Sequence, residues 1–271
     1  MLKYIKEVCD VAILPLGAIE QHGPHCPIGS DAFNAIGMAK KVAERTGATA
    51  LPCPIYGSHP HHHWGMPCNI PLKFETHIEL VTDIVRGAAM AGFNKFLLLS
   101  AHGQVSSTIV AVHKLGIEGF FSLSLHWYDF VRDNQEILED PMWHADEAET
   151  SVALHLYPEL VDMSRATKGG GKSIIDSKWK IAPGKQAESG QMYHFEGTFA
   201  LPERDDLDTG VIGDATKATV EKGEKLVTKL VDHLDNLVKE IMEKYPVGVN
   251  PLGFRNPLGY NGVDRLEYDK K

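Results

Sequence analysis

The hydrophobic positions of this chain follow two patterns that alternate along the sequence. Short, nearly continuous apolar runs predict strands buried on both faces of a sheet, and they occupy residues 11–17, 48–54, 95–100 and 119–125. Apolar residues at three- and four-residue spacing predict amphipathic helices within residues 30–46, 74–92, 105–115, 144–157 and 210–246. Because strands that alternate with helices are typical of βαβ units, the pattern predicts an α/β fold with a mostly parallel sheet.

Local signals set the limits of the helices and of the domain. Ser30 starts the first long helix, and Gly47 follows its end, where glycine readily takes the left-handed conformation. The last helix ends before Pro246, and the residues after it are rich in Gly, Pro and Asn. We therefore expect one domain over residues 1–245 and a tail over residues 246–271 that packs on the surface or on a neighbouring subunit.

Composition and charge restrict the partners. The 36 acidic residues outnumber the 27 Lys and Arg, giving a formal charge of −9, which argues against nucleic acid or an anionic membrane as partner. No apolar stretch approaches the roughly 20 residues that a membrane helix needs, and the N-terminus lacks the apolar core of a secretory signal. The four cysteines form no C-x-x-C pair, which favours a reducing, cytoplasmic location. The 14 histidines are the unusual feature.

Acidic and imidazole side chains follow the first predicted strand. Glu20 and His22 lie beyond its carboxyl end, where α/β sheets bind ligands, and their two-residue spacing points both side chains the same way in extended backbone. Asp31, at the start of the next helix, would add a third donor. Such a set suits Zn²⁺ or Mn²⁺. A capping Asp31 beside a solvated loop is the alternative, and these residues alone leave both open.

Two further segments carry candidate groups. His102 follows the predicted strand at 95–100, so it would reach the same edge of the sheet, although a loop histidine bonded to backbone is the alternative. The segment 144–151, HADEAETS, opens a predicted helix and places Glu149 about one turn from His144. Acidic residues in a first turn also stabilise the helix dipole. This segment by itself therefore does not require a metal.

Residues 14–25, LPLGAIEQHGPH, and residues 144–151 form two ordered blocks. The first block, together with Asp31, resembles the signature of the creatininase family of metal-dependent amidohydrolases. The second resembles that family's other signature, a His-Ala-Gly-Glu-x-Glu-Thr-Ser run. The loop containing Tyr56 and the last long helix are also similar, so the resemblance covers residues 11–240 in the same order.

The resemblance implies a fold, an assembly and a cofactor. The fold is a three-layer α/β/α sandwich with a mostly parallel sheet, assembled as a homohexamer. The cofactor is one or two divalent cations per chain, Zn²⁺ or Mn²⁺, with Fe²⁺ as a further option. The implied ligands come from all three segments, with Asp31 as the bridge between two cations: Glu20, His22, Asp31, His102 and Glu149. His144 matches a histidine suited to proton transfer, so His144 and Glu149 are the expected catalytic residues.

The chain departs from the family pattern near the expected substrate. Gln104 stands where creatininase itself carries a metal-binding carboxylate, which argues against creatinine as the substrate and places more of the metal binding on Glu149. The loop between the signatures is unusually rich in histidine. The expected pocket residues are His62, His63, Gln104 and Trp127, with one of the two adjacent histidines facing the substrate.

The sequence therefore predicts a hydrolase that uses a metal-activated water to attack a carbonyl of a small, polar, cyclic substrate and open the ring. Two kinds of bond remain open: the C–N bond of a cyclic amide, or a C–C bond of a cyclic diketone such as an oxidised inositol. The alternative from another class is a catalytically inactive metal-binding or assembly module of the same family.

Overall fold

The computed structural model describes residues 1–59, 64, 66–170, 181–182, 197–198 and 209–253. Its centre is a four-stranded parallel sheet with strand order β2-β1-β3-β4. The four strands are β1 Val11–Leu16, β2 Thr49–Ala50, β3 Lys95–Ser100 and β4 Phe121–His126. Two short pairs lie outside this sheet: antiparallel β5 Lys168–Gly169 with β8 Gly213–Asp214, and parallel β6 Ile181–Ala182 with β7 Gly197–Thr198.

Seven α-helices lie in the described part of the chain. They are α1 Leu2–Glu7, α2 Ser30–Thr46, α3 Phe74–Met90, α4 Val105–Ile117, α5 Trp127–Arg132, α6 Glu147–Leu156 and α7 Val220–Lys244. Single 3₁₀ turns occur at Gln135–Ile137, Pro158–Leu160, Met163–Arg165 and Ala215–Lys217. None of the helices in these residues is both long and apolar enough to cross a membrane.

Helices cover both faces of the sheet, which gives the predicted three layers. Side chains alternate between the two faces of a strand, so the opposed pair Ile13 and Leu97 lies in one core and the opposed pair Leu14 and Leu98 in the other. The first core is closed by α2, α6 and α7, and the second by α3 and α4. The near-continuous apolar strands in the sequence are explained by this burial on both faces.

The second strand is much shorter than the predicted run at 48–54. Only Thr49 and Ala50 pair with β1. Pro52 and Pro54 follow immediately, and proline has no N–H to donate to a ladder. The strand predicted at 48–54 therefore exists at that place, but it is shorter than predicted.

The predicted helix at 144–157 also begins later than expected, at Glu147. Asp146 is its N-cap, and its Oδ1 accepts hydrogen bonds from the backbone N–H groups of Ala148 and Glu149 at 2.9 and 3.1 Å. His144 lies before the cap and pairs with Ile212 through two backbone hydrogen bonds. His144 and Glu149 therefore come from a loop and a helix, and not from one continuous helix.

Close packing at Gly17 fixes the approach of the first loop to α2. A Cβ atom at this position would lie 2.3 Å from the Cα of Ala32, so no larger residue fits without a backbone shift. The end of β1 therefore lies directly against the first turn of α2. That contact brings the loop carrying Glu20 and His22 next to Asp31.

The beginning of the predicted tail is held against the amino end of the sheet. The Gly248 N–H donates to Asp10 Oδ2 at 3.0 Å, and the Asn250 side-chain amide donates to the Gly119 carbonyl at 2.8 Å. The rest of the predicted tail, residues 254–271, lies outside the described residues.

Candidate metal centre

Five predicted ligands converge at the carboxyl edge of the sheet. The loop after β1 carries Glu20 and His22, and the first turns of α2 and α6 carry Asp31 and Glu149. His102 follows β3 in a tight turn in which the Ser100 hydroxyl donates to the His102 carbonyl at 3.0 Å. All five residues are buried. This edge is where open α/β sheets bind their ligands.

Asp31 links two donor sets. Its Oδ1 lies 3.3 Å from His22 Nε2, and its Oδ2 lies 2.9 Å from His102 Nδ1. His22 Nε2 also lies 3.3 Å from Glu149 Oε2, and His102 Nδ1 also lies 2.9 Å from Glu20 Oε2. Each oxygen of Asp31 therefore faces a different histidine–carboxylate pair, which is the arrangement that a bridging carboxylate requires.

Buried charges at the centre shift the pKa values of its ligands. Burial alone lowers the pKa of His22, but the carboxylates of Asp31 and Glu149 outweigh it and raise that pKa well above the usual 6.5. Burial also lowers the pKa of His102, but the carboxylates of Glu20 and Asp31 outweigh it and raise that pKa to about 10. Burial alone raises the pKa of Asp31, but the two imidazoles outweigh it and lower that pKa below its usual value. The centre thus attracts positive charge strongly.

The residues present fit a divalent cation. Groups of three His, Asp or Glu whose ligand atoms lie within 4.8 Å of one another occur here among the described residues: Glu20–His59–His102, Glu20–His22–His144 and His22–Asp31–Glu149. In that part of the chain, His22 Nε2 and Asp31 Oδ2 are buried and make no hydrogen bond of suitable geometry. Buried imidazoles and carboxylates that face one another in this way are the ligands that Zn²⁺ and Mn²⁺ take in proteins.

His144 lies at the rim of the centre. Its Nδ1 is 3.9 Å from Glu20 Oε2 and 4.0 Å from Glu149 Oε2, and its ring is in edge-to-face contact with His22. Its Nε2 lies 2.9 Å from both the carbonyl oxygen and the side-chain amide nitrogen of Gln21. The carbonyl oxygen only accepts and suits a proton on Nε2, whereas the amide nitrogen donates and suits an unprotonated Nε2. In the first tautomer, Nδ1 faces the centre as a proton acceptor.

The acidic residues of the second signature have separate roles. Asp146 caps α6, and burial followed by repulsion from Glu149 raises its pKa to about 7. Glu147 accepts from the backbone N–H groups of Glu139 and Asp140 and pairs with Lys222. The structural roles that the sequence left open thus belong to Asp146 and Glu147, whereas Glu149 faces His22.

His59 is a buried member of the cluster that the sequence did not single out. Its Nδ1 lies 3.9 Å from Glu20 Oε1, and its ring centroid is 4.4 Å from that of His102. The sequence interpretation placed the chemistry of this histidine-rich loop on His62 and His63, which lie outside the described residues. No local sequence pattern points to His59; its neighbour Ser58 pairs with Leu72 in an isolated bridge.

Gln104 and Trp127, the other predicted pocket residues, are both buried. The Gln104 amide donates to the Gly17 carbonyl at 3.4 Å and to the Ser100 hydroxyl at 3.3 Å. Trp127 starts α5 directly after β4 and packs in the core closed by α2, α6 and α7. Gln104 therefore braces the loops that carry the ligands, and Trp127 supports the sheet beside them.

Fold and centre together define a class: α/β proteins with a buried carboxylate–imidazole centre at the carboxyl edge of a parallel sheet. A family model described as "Creatininase: Creatinine amidohydrolase" matches residues 2–238. The chain belongs to the creatininase family, as the two signature blocks predicted.

Individual relatives agree with this assignment. The chain is 34% identical over 275 residues to 3-dehydro-scyllo-inosose hydrolase of Thermotoga maritima, covering 92% of this chain and 84% of that protein. The solved structure "Creatininase Mn" aligns with a TM-score of 0.68 and 26% identity over 90% of this chain and 95% of that one. A mutant creatininase of "Zn-Zn type" aligns with a TM-score of 0.68 and 27% identity over the same shares.

Proposed function

We propose that this chain is a metal-dependent hydrolase that adds water to a carbonyl of a small, polar, cyclic compound and opens its ring. The observation that carries the proposal is Asp31, whose two oxygens each face a different histidine–carboxylate pair. Glu20 and His102 with one Asp31 oxygen would hold one cation, and His22 and Glu149 with the other oxygen would hold a second. The Zn–Zn and Mn creatininase structures support these metals.

Bound cations supply a water of lowered pKa and the positive charge that polarises a carbonyl. The donors are held in place, because all five are buried and lie in the loops after β1 and β3 or in the first turns of α2 and α6. Donors fixed before the reaction need no reorganisation when charge develops. The family membership supports hydrolysis, and a catalytically inactive binding module is the alternative that metal analysis and assays must exclude.

His144 is the proposed proton carrier. With the proton on Nε2 held toward Gln21, Nδ1 can take a proton from the attacking water. The nearby carboxylates of Glu20 and Glu149 would stabilise the imidazolium that results. The same Nδ1–H can then protonate the leaving atom of the substrate, which completes the addition of water across the broken bond.

A cyclic polyol with adjacent carbonyl groups is the proposed substrate class, cleaved at a C–C bond. The support is the relative named 3-dehydro-scyllo-inosose hydrolase, which aligns with 92% of this chain. Water would add its hydroxyl group to the carbonyl carbon, giving a carboxylic acid that ionises by releasing a proton to solvent, and its other proton to the departing carbon. The second candidate is a cyclic amide cleaved at its C–N bond, supported by the creatininase structures that align over 90% of the chain.

We also propose a cytoplasmic homo-oligomer, with a hexamer expected from the family. In it, residues 1–245 form one domain and residues 246–271 add contacts. Ile28, just before α2, and Phe33 and Ile36 on α2 support assembly, because they are large apolar side chains left 39–46% exposed. Sedimentation of the full chain at micromolar concentration should give a mass well above 29.9 kDa, and a monomer would contradict this part of the proposal.

The function is tested by metal analysis followed by a substrate panel. Protein purified without chelator should contain Zn, Mn or Fe at one to two ions per chain. Metal-loaded protein is then incubated with diketone derivatives of inositols and with creatinine and other cyclic amides, and ring opening is followed by the acid or amine released. We expect activity on the polyol diketones that disappears with chelator and returns with metal. Tight metal without turnover on any carbonyl substrate would favour the binding module.

A further inference from the structure

His59 lies beside the Glu20–His102 pair and not beside the His22–Glu149 pair. With Glu20 and His102 it forms one of the three-residue groups whose ligand atoms lie within 4.8 Å of one another. We propose that His59 is a ligand of the cation held by Glu20 and His102. This inference rests on the proposed function, because it adds a donor to one of its two metal positions.

The spacing of the three residues suits one tetrahedral cation. Two donors about 2.1 Å from the same zinc lie roughly 3.4 Å apart in a tetrahedron. The separation is 2.9 Å from His102 Nδ1 to Glu20 Oε2 and 3.9 Å from His59 Nδ1 to Glu20 Oε1, so the two imidazoles approach different oxygens of one carboxylate. The ligand atoms of the three residues lie within 4.8 Å of one another, and a shared cation requires the side chains to reorient about it.

His59 is held in place as a metal ligand must be. The preceding Ser58 is buried, and its hydroxyl contacts the Ser107 hydroxyl at 2.7 Å. Ser107 in turn contacts His77 Nδ1 at 2.9 Å and donates to the Gln104 carbonyl at 3.0 Å. This network ties the His59 backbone to α3 and α4.

Two further hydrogen bonds hold the backbone around His59. The Trp64 indole N–H donates to the His59 carbonyl at 3.0 Å, and the Leu72 N–H donates to the carbonyl of Gly57 at 2.8 Å. Supporting contacts of this kind orient metal-ligating imidazoles. A side chain that only lined an open pocket would not need such a buried and braced position.

His59 makes the two metal positions unequal. One position has four protein donors, from Glu20, His59, His102 and Asp31. The other has three, from His22, Asp31 and Glu149. Zinc with four protein donors is closed, whereas zinc with three keeps a place for water or substrate. The position at His22 and Glu149 is therefore the one that receives the reacting group, and the position at His59 binds its cation more tightly.

The test compares wild type with His59→Gln and with His113→Gln. The second variant loses an exposed imidazole on α4 and controls for non-specific binding to surface histidines. Zn²⁺ affinity is measured by chelator competition on metal-stripped protein, with circular dichroism as the check on folding. We expect His59→Gln to weaken the tighter of two sites by at least about 10- to 100-fold, with the control unchanged. The Co²⁺-loaded variant should also show an altered visible spectrum.

Each outcome separates the inference from the proposed function. If wild type binds two cations and His59→Gln binds both with unchanged affinity, the proposed role of His59 is overturned and the hydrolase proposal remains intact. Absence of tight metal from wild type would defeat the proposed function itself. If the variant does not fold, anomalous diffraction from Zn²⁺-loaded wild type decides: a His59 ring nitrogen within about 2.3 Å of a metal supports the inference, and a clearly longer separation overturns it.

Discussion

The two ends of the sheet both bury ionisable side chains, and they balance the charge in opposite ways. At the amino end, Lys95 Nζ lies 2.5 Å from Asp10 Oδ1, and both side chains are fully buried. Asp10 Oδ2 also accepts hydrogen bonds from Asn94 and Gly248, and Lys95 donates to the Pro246 carbonyl. The Lys95 ammonium thus neutralises the Asp10 carboxylate, and hydrogen bonds satisfy the remaining polar atoms of the pair.

The carboxyl end gathers three carboxylates, from Glu20, Asp31 and Glu149, around imidazoles. Imidazoles balance these charges only when they carry protons, and the raised pKa values of His22 and His102 express that demand. The comparison teaches that burial alone does not identify a functional cluster. A cluster whose side chains supply too little positive charge points to a cation, whereas a cluster that balances itself points to stability.

The largest expected effect is at the carboxyl end. Asp31→Ala should lose both cations and lower turnover by at least roughly 10³-fold, because both donor sets depend on this residue. Metal content by elemental analysis and turnover on the active substrate are the measurements. Asp232→Ala removes an exposed carboxylate that pairs with Arg45 and serves as the control. Full metal content in Asp31→Ala would refute the bridging role.

His144→Ala should separate proton transfer from metal binding at the same end. We expect the metal to remain, because His22 and Glu149 are intact, and turnover to fall by roughly 10²- to 10⁴-fold, the usual effect of losing a positioned acid or base. Elemental analysis and kinetics on one preparation test this. If His144→Ala loses the metal while Asp31→Ala keeps it, the two roles have been assigned the wrong way round.

At the amino end, Lys95→Met should act on stability alone. Removing one partner of a buried ion pair leaves the other charge uncompensated and costs about 3–5 kcal/mol of unfolding free energy. Metal content and turnover per folded molecule should not change. Urea denaturation gives the comparison with Lys229→Met, which breaks an exposed pair with Glu136 and should cost far less, because solvent screens exposed charges. Equal losses in the two variants would contradict the proposed difference.

The smallest effect concerns His77, which is buried in the first turn of α3 and contacts Ser107. Burial, with repulsion from His102 as a second cause, lowers the pKa of His77 from the usual 6.5 to about 4. As the pH falls from 6.5 toward 4, the unfolded chain takes up the proton first, so stability is lost over that window. The free energy of unfolding of the metal-stripped wild type should therefore fall between pH 7 and 4. In metal-stripped His77→Gln this fall should be smaller by about 3 kcal/mol. Parallel curves for the two proteins would show that His77 does not contribute.

Much of the fold could be predicted from the sequence, because long elements carry strong periodic signals. The helix at 30–46 and the strands at 95–100 and 11–17 were correct to within a residue. The errors fell where local chemistry overrides the pattern. Pro52 and Pro54 end pairing after β2, and the Asp146 cap delays α6 by three residues. Neither effect changes the hydrophobic pattern from which the elements were predicted.

The convergence of Glu20, His22, Asp31 and His102 was predictable in part, because parallel strands end at a common edge and the resemblance to the family implied these four residues as ligands. The participation of His59 was not. His59 lies in a loop without periodicity, and its approach to His102 depends on Ser58 meeting Ser107, residues 49 positions apart. Contacts of that range arise from tertiary packing and leave no local pattern in the chain.

The position of α7 has a consequence for how the protein is made. This helix comes last among the large elements, yet it packs on α2 and α6, whose first turns carry Asp31 and Glu149. A ribosome releases the chain in sequence order at about 5–20 residues per second. For several seconds the nascent protein therefore contains all five proposed ligands but lacks the helix that packs against the two helices carrying Asp31 and Glu149. We therefore expect the proposed cations to bind firmly only after α7 has packed.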